Sequence, residues 1–199
     1  MIYADNAATT KTYSKVLEEM MPYLIDGYGN PSSAYEIGIN NKTAIDKARN
    51  NIAETIGAKP EEILFTSGGS ESDNWALKGV ASIYKCGHII TSEIEHKAIL
   101  RTCEYLSHHG FDITYIEPDE LGIISARMVE GAIRPDTILC SIMLANNEIG
   151  TIQPIKELVE IAHAHSTLFH TDAVQAVGHI PIDVKAMGID KIGRASCRE

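Results

Sequence analysis

Short apolar runs and amphipathic stretches alternate along most of the chain. Residues 62–66 (Glu62-Ile63-Leu64-Phe65-Thr66) form a brief apolar run bounded by turn residues, which predicts a strand. A helical pattern follows over 70–84, with Trp75, Leu77, Val80 and Ile83 as its expected buried face. Further strands are predicted at 88–91, 112–116, 137–144 and 167–171, and further helices at 96–108 and 155–165. Upstream, 13–23 and 41–56 read as helices. Between them lies Gly27-Tyr28-Gly29-Asn30-Pro31-Ser32-Ser33, a loop with helix-starting hydroxyls at its end.

Strands alternating with helices of this length imply βαβ units, hence an α/β fold with a mostly parallel sheet covered on both faces. Ligands of such sheets bind beyond the carboxyl ends of the strands, so polar residues just after a strand are the first site candidates. The chain shows no internal repeat and no low-complexity linker.

Composition narrows the function classes. Hydrophobic residues make up 44% and charged residues 22%, an ordinary globular balance that argues against disorder. The formal net charge of -10 disfavours binding to a nucleic-acid backbone, which needs clustered Lys and Arg. No apolar run approaches the roughly 20 residues that span a bilayer. The start, Met1-Ile2-Tyr3-Ala4-Asp5, lacks the basic and apolar regions of a secretory signal, so the cytoplasm is the expected location. Cys86, Cys103, Cys140 and Cys197 include no C-x-x-C pair, which points away from a disulfide framework or closed zinc site. Cys140 sits in an apolar run and is expected as a buried strand residue.

Four places after strands carry candidate chemistry. In Thr66-Ser67-Gly68-Gly69-Ser70-Glu71-Ser72 a strand gives way to a glycine turn and a helix start, where free N–H groups favour a phosphate. It is neither a Walker A loop nor a dinucleotide fingerprint, and a plain capped turn, Ser70 with Asp73, is the other reading. His96 follows the next strand; it starts a helix, or stacks on an aromatic cofactor and moves a proton. Asn146 and Asn147 either cap a turn or donate hydrogen bonds to a ligand oxygen. Asp172 ends the run Phe169-His170-Thr171, with Gln175 one turn on. Its carboxylate either caps a helix or holds a ring nitrogen protonated. His108, His109, His163 and His165 lack the carboxylate or cysteine companions of a metal site.

The order of these motifs resembles that of the cysteine desulfurases. The resemblance is carried by Tyr3-Ala4-Asp5-Asn6-Ala7-Ala8-Thr9-Thr10, Gly29-Asn30-Pro31-Ser32-Ser33 and Thr66-Ser67-Gly68-Gly69-Ser70-Glu71-Ser72-Asp73-Asn74. It continues in Ile94-Glu95-His96, Asn146-Asn147-Glu148-Ile149-Gly150 and His170-Thr171-Asp172-Ala173-Val174-Gln175. It covers the chain from Tyr3 to about Lys191.

The resemblance implies the large domain of a type I transferase dependent on pyridoxal phosphate (PLP), working as a homodimer. The activity implied is release of sulfur from L-cysteine, leaving alanine and an enzyme persulfide that passes sulfur to an iron–sulfur scaffold or another acceptor protein. By motif, Gly69 and Ser70 would hold the PLP phosphate and His96 would stack on the ring and shuttle protons. Asp172 would pair with the ring nitrogen, Gln175 would bond the ring hydroxyl, and Asn147 would lie near that hydroxyl and the substrate. Asn6 and Ala8 would line the substrate side. Two positions depart from the family pattern: Tyr35 stands where a histidine is usual, and Ser70 where a threonine is usual.

The resemblance also divides the chain. Residues 1–15 would belong to a small domain and 16–191 to an incomplete PLP-binding large domain; residues 192–199 break an apolar strand that Asp190-Lys191-Ile192 begins, and are read from that as a segment foreign to the fold. The family's Schiff-base lysine, substrate-binding arginine and sulfur-accepting cysteine lie beyond residue 191. The chain by itself is therefore expected to be inactive and to expose apolar sheet surface. Alternative readings are another class V enzyme such as a selenocysteine lyase, or a non-catalytic assembly module.

Overall fold

The protein is described by a computed structural model covering residues 2–194; the C-terminal residues 195–199, including Cys197 and most of the segment expected to be foreign, lie outside the described residues. Two compact units are present, one ending at Phe65 and the other beginning at Thr66.

The first unit is helical. Helix α1, Ser14–Ile25, buries none of its residues, and Leu17, Met20, Met21, Leu24 and Ile25 all stay exposed. The loop that follows is pinned by Asn41, whose Nδ2 donates to the carbonyls of Gly27 and Gly29, both at 2.6 Å. Helix α2, Glu36–Ile56, starts five residues before the predicted position. Gly38 lies so close to the carbonyls of Asn30 and Ser33 that a Cβ would come within 2.7 Å of both. The helix ends at Gly57 in the left-handed region (φ 71°), the conformation glycine adopts most easily.

The segment 62–66 is not a strand. Glu62 closes a 3-10 turn, Pro60–Glu62, and Leu64 and Phe65 are 66% and 49% exposed. An extended apolar run becomes a strand only where a neighbour takes its N–H and C=O groups. Among the described residues no strand pairs with this run: the Ile63 N–H goes to the Pro60 carbonyl and the Ile63 carbonyl accepts from Arg49 Nε.

The second unit has the predicted α/β architecture. Strands β1 (Gly87–Ser92), β2 (Phe111–Ile116), β3 (Thr137–Ser141), β4 (Leu168–Asp172) and β5 (Lys191–Gly193) form one parallel sheet in the order β2-β1-β3-β4-β5. Residues Ile192 and Gly193, expected to be foreign to the fold, thus pair with β4. Helices α3 (Gly69–Ile83) and α4 (Lys97–Ser107) pack together on one face; α5 (Ala126–Ala132) and α6 (Ile155–Ala164) pack together on the other, and the short α7 (Val184–Met187) lies against α6. The short α5 and α7 have too few turns to show an apolar period in the sequence.

The core joins Leu77, Val80 and Ala81 of α3 to Ile89, Ile99, Cys103, Leu106, Phe111 and Leu139. Cys140 is buried in β3, as expected. Trp75 and Ile83, placed on the buried face of α3 by the sequence, are 52% and 76% exposed. The buried stripe runs through Asp73, Leu77, Val80 and Ala81 at helical spacing. Trp75 sits two residues from Leu77, about 200° around the helix and on the other side. Among the described residues no helix is long and apolar enough to cross a membrane.

Candidate active site at the carboxyl edge of the sheet

The glycine turn before α3 is capped by backbone and not by a side chain. Gly68 occupies the N-cap position with no side-chain hydrogen bond, and the first intrahelical bond runs from Ser72 N–H to its carbonyl at 3.1 Å. The reading of Ser70 as the cap is thereby corrected. The glutamate one turn in, Glu71, accepts the N–H of Ser67 at 2.5 Å, which holds its carboxyl below the ordinary range. That arrangement leaves the N–H groups at the very start of α3 aimed out of the helix end. A Cβ added at Gly68 would meet nothing within 4 Å, so the backbone there faces open space.

His96 is exposed at the N-cap of α4, and its Nδ1 accepts the N–H of Ala98 at 3.2 Å. That bond makes Nδ1 the acceptor and leaves Nε2 to carry the proton of the neutral ring.

The two asparagines after β3 divide the work. Buried Asn146 closes its own turn: Oδ1 accepts the N–H groups of Glu148 and Ile149, and Nδ2 donates to the carbonyl of Ile94 at 2.8 Å. It thereby ties the loop after β3 to the loop before His96. Asn147 is half-buried beside it. Asp172 ends β4 with 4% of its surface exposed and accepts the N–H of Val174 at 2.9 Å. Its carbonyl accepts from Leu144 at 2.9 Å, which joins the β3 and β4 loops. Gln175 follows, half-buried. Gly69, Ser70, His96, Asn147, Asp172 and Gln175 therefore all belong to the second unit, on the edge where its parallel strands end. Asn6 and Ala8 belong to the first unit, in an exposed turn closed by Ala8 N–H on the carbonyl of Asp5.

Sequence reasoning missed a buried polar cluster beneath this edge. Asp73 of α3, His170 of β4 and Glu95 before α4 are 1%, 0% and 6% exposed. His170 Nδ1 meets Ser141 Oγ at 2.9 Å, while its Nε2 faces Asp73 Oδ1 at 3.7 Å. Glu95 Oε1 accepts from Ser92 Oγ at 2.7 Å and from Met143 N–H at 2.9 Å. Burial, reinforced by the charges of Asp172 and Glu95, pushes Asp73 up to about 8. Burial likewise pushes Glu95 up to about 8 and the His170 ring down to about 3. Asp73 and His170 thus face each other as neutral groups. Periodicity held the signal: Asp73 is in helical register with Leu77, and His170 shares a strand face with Asp172.

Among the described residues no cluster of three or more His, Cys, Asp or Glu is arranged to hold a metal ion. His163, read as lacking a carboxylate companion, bonds Asp190 Oδ2 at 2.8 Å, but that carboxylate also takes the Phe169 N–H.

The aminotransferase class-V family model matches residues 2–195. The chain belongs to the class-V aminotransferase family. The cysteine desulfurase IscS of Methanosarcina thermophila is 56% identical over 191 residues, covering 95% of this chain and 47% of that protein. The IscS of Clostridium botulinum (strain Kyoto / Type A2) is 50% identical over 197 residues, covering 98% of this chain and 50% of the relative. Among solved structures, one described as SspA in complex with cysteine superposes with a TM-score of 0.96 at 46% identity, over 98% of this chain and 57% of that one. A NifS-like protein superposes at 0.95 with 42% identity, over 99% of this chain and 55% of its own. This class-V chain spans about half the length of the curated relatives it matches.

Proposed function

We propose that the chain is the N-terminal part of a PLP-dependent cysteine desulfurase acting on L-cysteine. The observation that carries the reading is the pairing, at one sheet edge, of an open helix N-terminus at Gly68 with the buried strand-end carboxylate of Asp172. A phosphorylated pyridine needs both: N–H donors for its phosphate and an anion for its ring nitrogen. The residues present therefore fit the cofactor.

Gly69 and Ser70 bind the phosphate through their N–H groups, with the Ser70 hydroxyl replacing the family's usual threonine. Asp172 holds the proton on the ring nitrogen. Gln175 bonds the ring hydroxyl, and Asn147 serves that hydroxyl and the substrate carboxylate. His96 lies against the ring and moves a proton through the nitrogen not engaged by Ala98. Asn6 and Ala8, with the rest of residues 1–15, belong to a small domain on the substrate side. Bound there, PLP supplies an electron sink for the carbon bearing the substrate amine.

The whole protein works as a cytoplasmic homodimer. It converts L-cysteine to alanine and passes the sulfur, as a persulfide, to an iron–sulfur scaffold or another acceptor. The lysine, arginine and acceptor cysteine come from the part of the longer protein that follows, so the 199-residue chain alone is inactive.

The test is to load the longer protein with PLP and measure alanine and sulfide formed from L-cysteine under reducing conditions. Equal amounts of both products are expected, and none from the 199-residue chain. A longer protein that binds PLP yet forms no alanine overturns the assignment.

A further inference from the structure

The buried pair below Asp172 has no part in the chemistry described so far. Asp73 Oδ1 and His170 Nε2 have no hydrogen-bond partner, although both atoms are fully enclosed. They face each other at 3.7 Å across the junction of α3 and β4. Burial denies both atoms a water partner, so two such unmet atoms in opposition are a place for a shared hydrogen. Closing the gap to a hydrogen bond takes about 0.8 Å of carboxyl movement. The other end of the ring is fixed, because Nδ1 meets Ser141 Oγ, and the Ser141 carbonyl is itself held by Thr91 Oγ1 at 2.9 Å.

We propose that Asp73 and His170 are positioning residues that share one proton beneath the site, so that the single negative charge of this carboxyl cluster rests on Asp172. The Asp73 hydroxyl donates to His170 Nε2, and the Nδ1 proton of the ring points to Ser141 Oγ. With one acceptor built in for its proton, Asp73 stays neutral, and Asp172 keeps the charge that the ring nitrogen requires. The role of Asp172 in this inference rests on the cofactor reading above.

The groups around the pair are consistent with that allocation. Asp172 on β4 and Glu95 before α4 both oppose ionisation of Asp73. On α4 and β3 the titratable neighbours of Glu95 are Cys103 and Cys140, whose thiols burial keeps protonated. Strand β5 runs on into Arg194, whose guanidinium is partly buried. Gly193 packs so closely on the Asp73 carboxyl that a Cβ there would overlap Oδ1, which confines the acid to the His170 side.

The test compares the longer protein with Asp73 and with Asp73→Asn, both carrying Glu95→Gln, because Glu95 is a second buried carboxyl pushed up to about 8. The first signal is the infrared carbonyl band of a protonated buried carboxyl, read on protein stripped of cofactor. It should be present at neutral pH, fade as the pH crosses about 8, and be missing in Asp73→Asn. The second signal is the absorbance of bound PLP across the same range. The protein that keeps Asp73 should show a step near that pH. The amide variant, which donates to Nε2 without a titratable proton, should lack the step and bind PLP within roughly twofold of it. A merely structural Asp73 would leave the step in place. An infrared band unchanged by Asp73→Asn, or a step that survives it, overturns the proposal. Failure to bind PLP at all removes only the second signal and counts against the cofactor reading; the band still decides the shared proton.

Discussion

Replacing Glu95 with glutamine measures the electrostatics of this cluster directly. Glu95 is 6% exposed, and its Oε1 holds Ser92 Oγ and Met143 N–H while Oε2 meets no partner. Burial raises its pKa from 4.5 to about 8, with Asp172 adding to the shift. Between those values the native protein keeps a proton that the unfolded chain releases. Because the folded pKa is the higher one, stability falls as the pH rises through this window. Each pH unit corresponds to about 1.4 kcal/mol, so holding the carboxyl neutral at pH 7 costs about 3 kcal/mol. Glutamine keeps the Oε1 acceptor and the shape without needing the proton. Its amide also brings an N–H with no acceptor, which takes back about 1 kcal/mol. Glu95→Gln should therefore be about 2 kcal/mol more stable than wild type near pH 7 and lose that advantage as the pH falls toward 4.5. The assay is urea unfolding of both proteins at matched pH values. A difference that does not vary with pH, or a variant less stable than wild type near pH 8, refutes the reasoning.

Burial lowers the His170 pKa from 6.5 to about 3, so His170 by itself makes stability fall on acidification below 6.5, and His170→Gln should steepen the gain in stability that the two buried carboxyls give over that range in the same unfolding series. Asp73 and Glu95 tilt the curve the opposite way and outweigh it, so wild-type stability should decline from about 4.5 toward 8, roughly half as steeply below 6.5 as above it. Leu77→Ala, at a site with no exposed surface, should cost about 2–5 kcal/mol in the same unfolding measurement. Asp172→Asn in the longer protein should retain bound PLP but lower alanine formation by roughly 10²–10⁴-fold, checked by absorbance and product assay.

Much of the second unit could be read from the chain because its signals are local. The runs 88–91, 112–116 and 167–171 fall within one residue of observed strands, and His96 stands at the start of a helix as predicted. The strand-end rule places Asn147 and Asp172 on one edge from the sequence alone. Residues 62–66 failed because strand character is completed by a partner, and apolar content alone does not supply one. Trp75 failed because size and hydrophobicity do not fix which side of a helix faces the sheet; Asp73 lies on the buried side and Trp75 does not.

The sequence by itself determined the alternation of elements, the parallel sheet it implies, and the polar residues that follow each strand, since these depend on the periods of helix and strand and on turn chemistry. Only the tertiary structure decided that Asn146 closes a loop while Asn147 does not, that Gly68 and not Ser70 caps α3, and that Asp73 meets His170 under Asp172. The physical reason is that hydrogen-bond partners and depth of burial are set by segments distant along the chain. The same carboxyl that is an ordinary solvated acid on a surface helix becomes a proton-holding group once α3 is pressed onto β4.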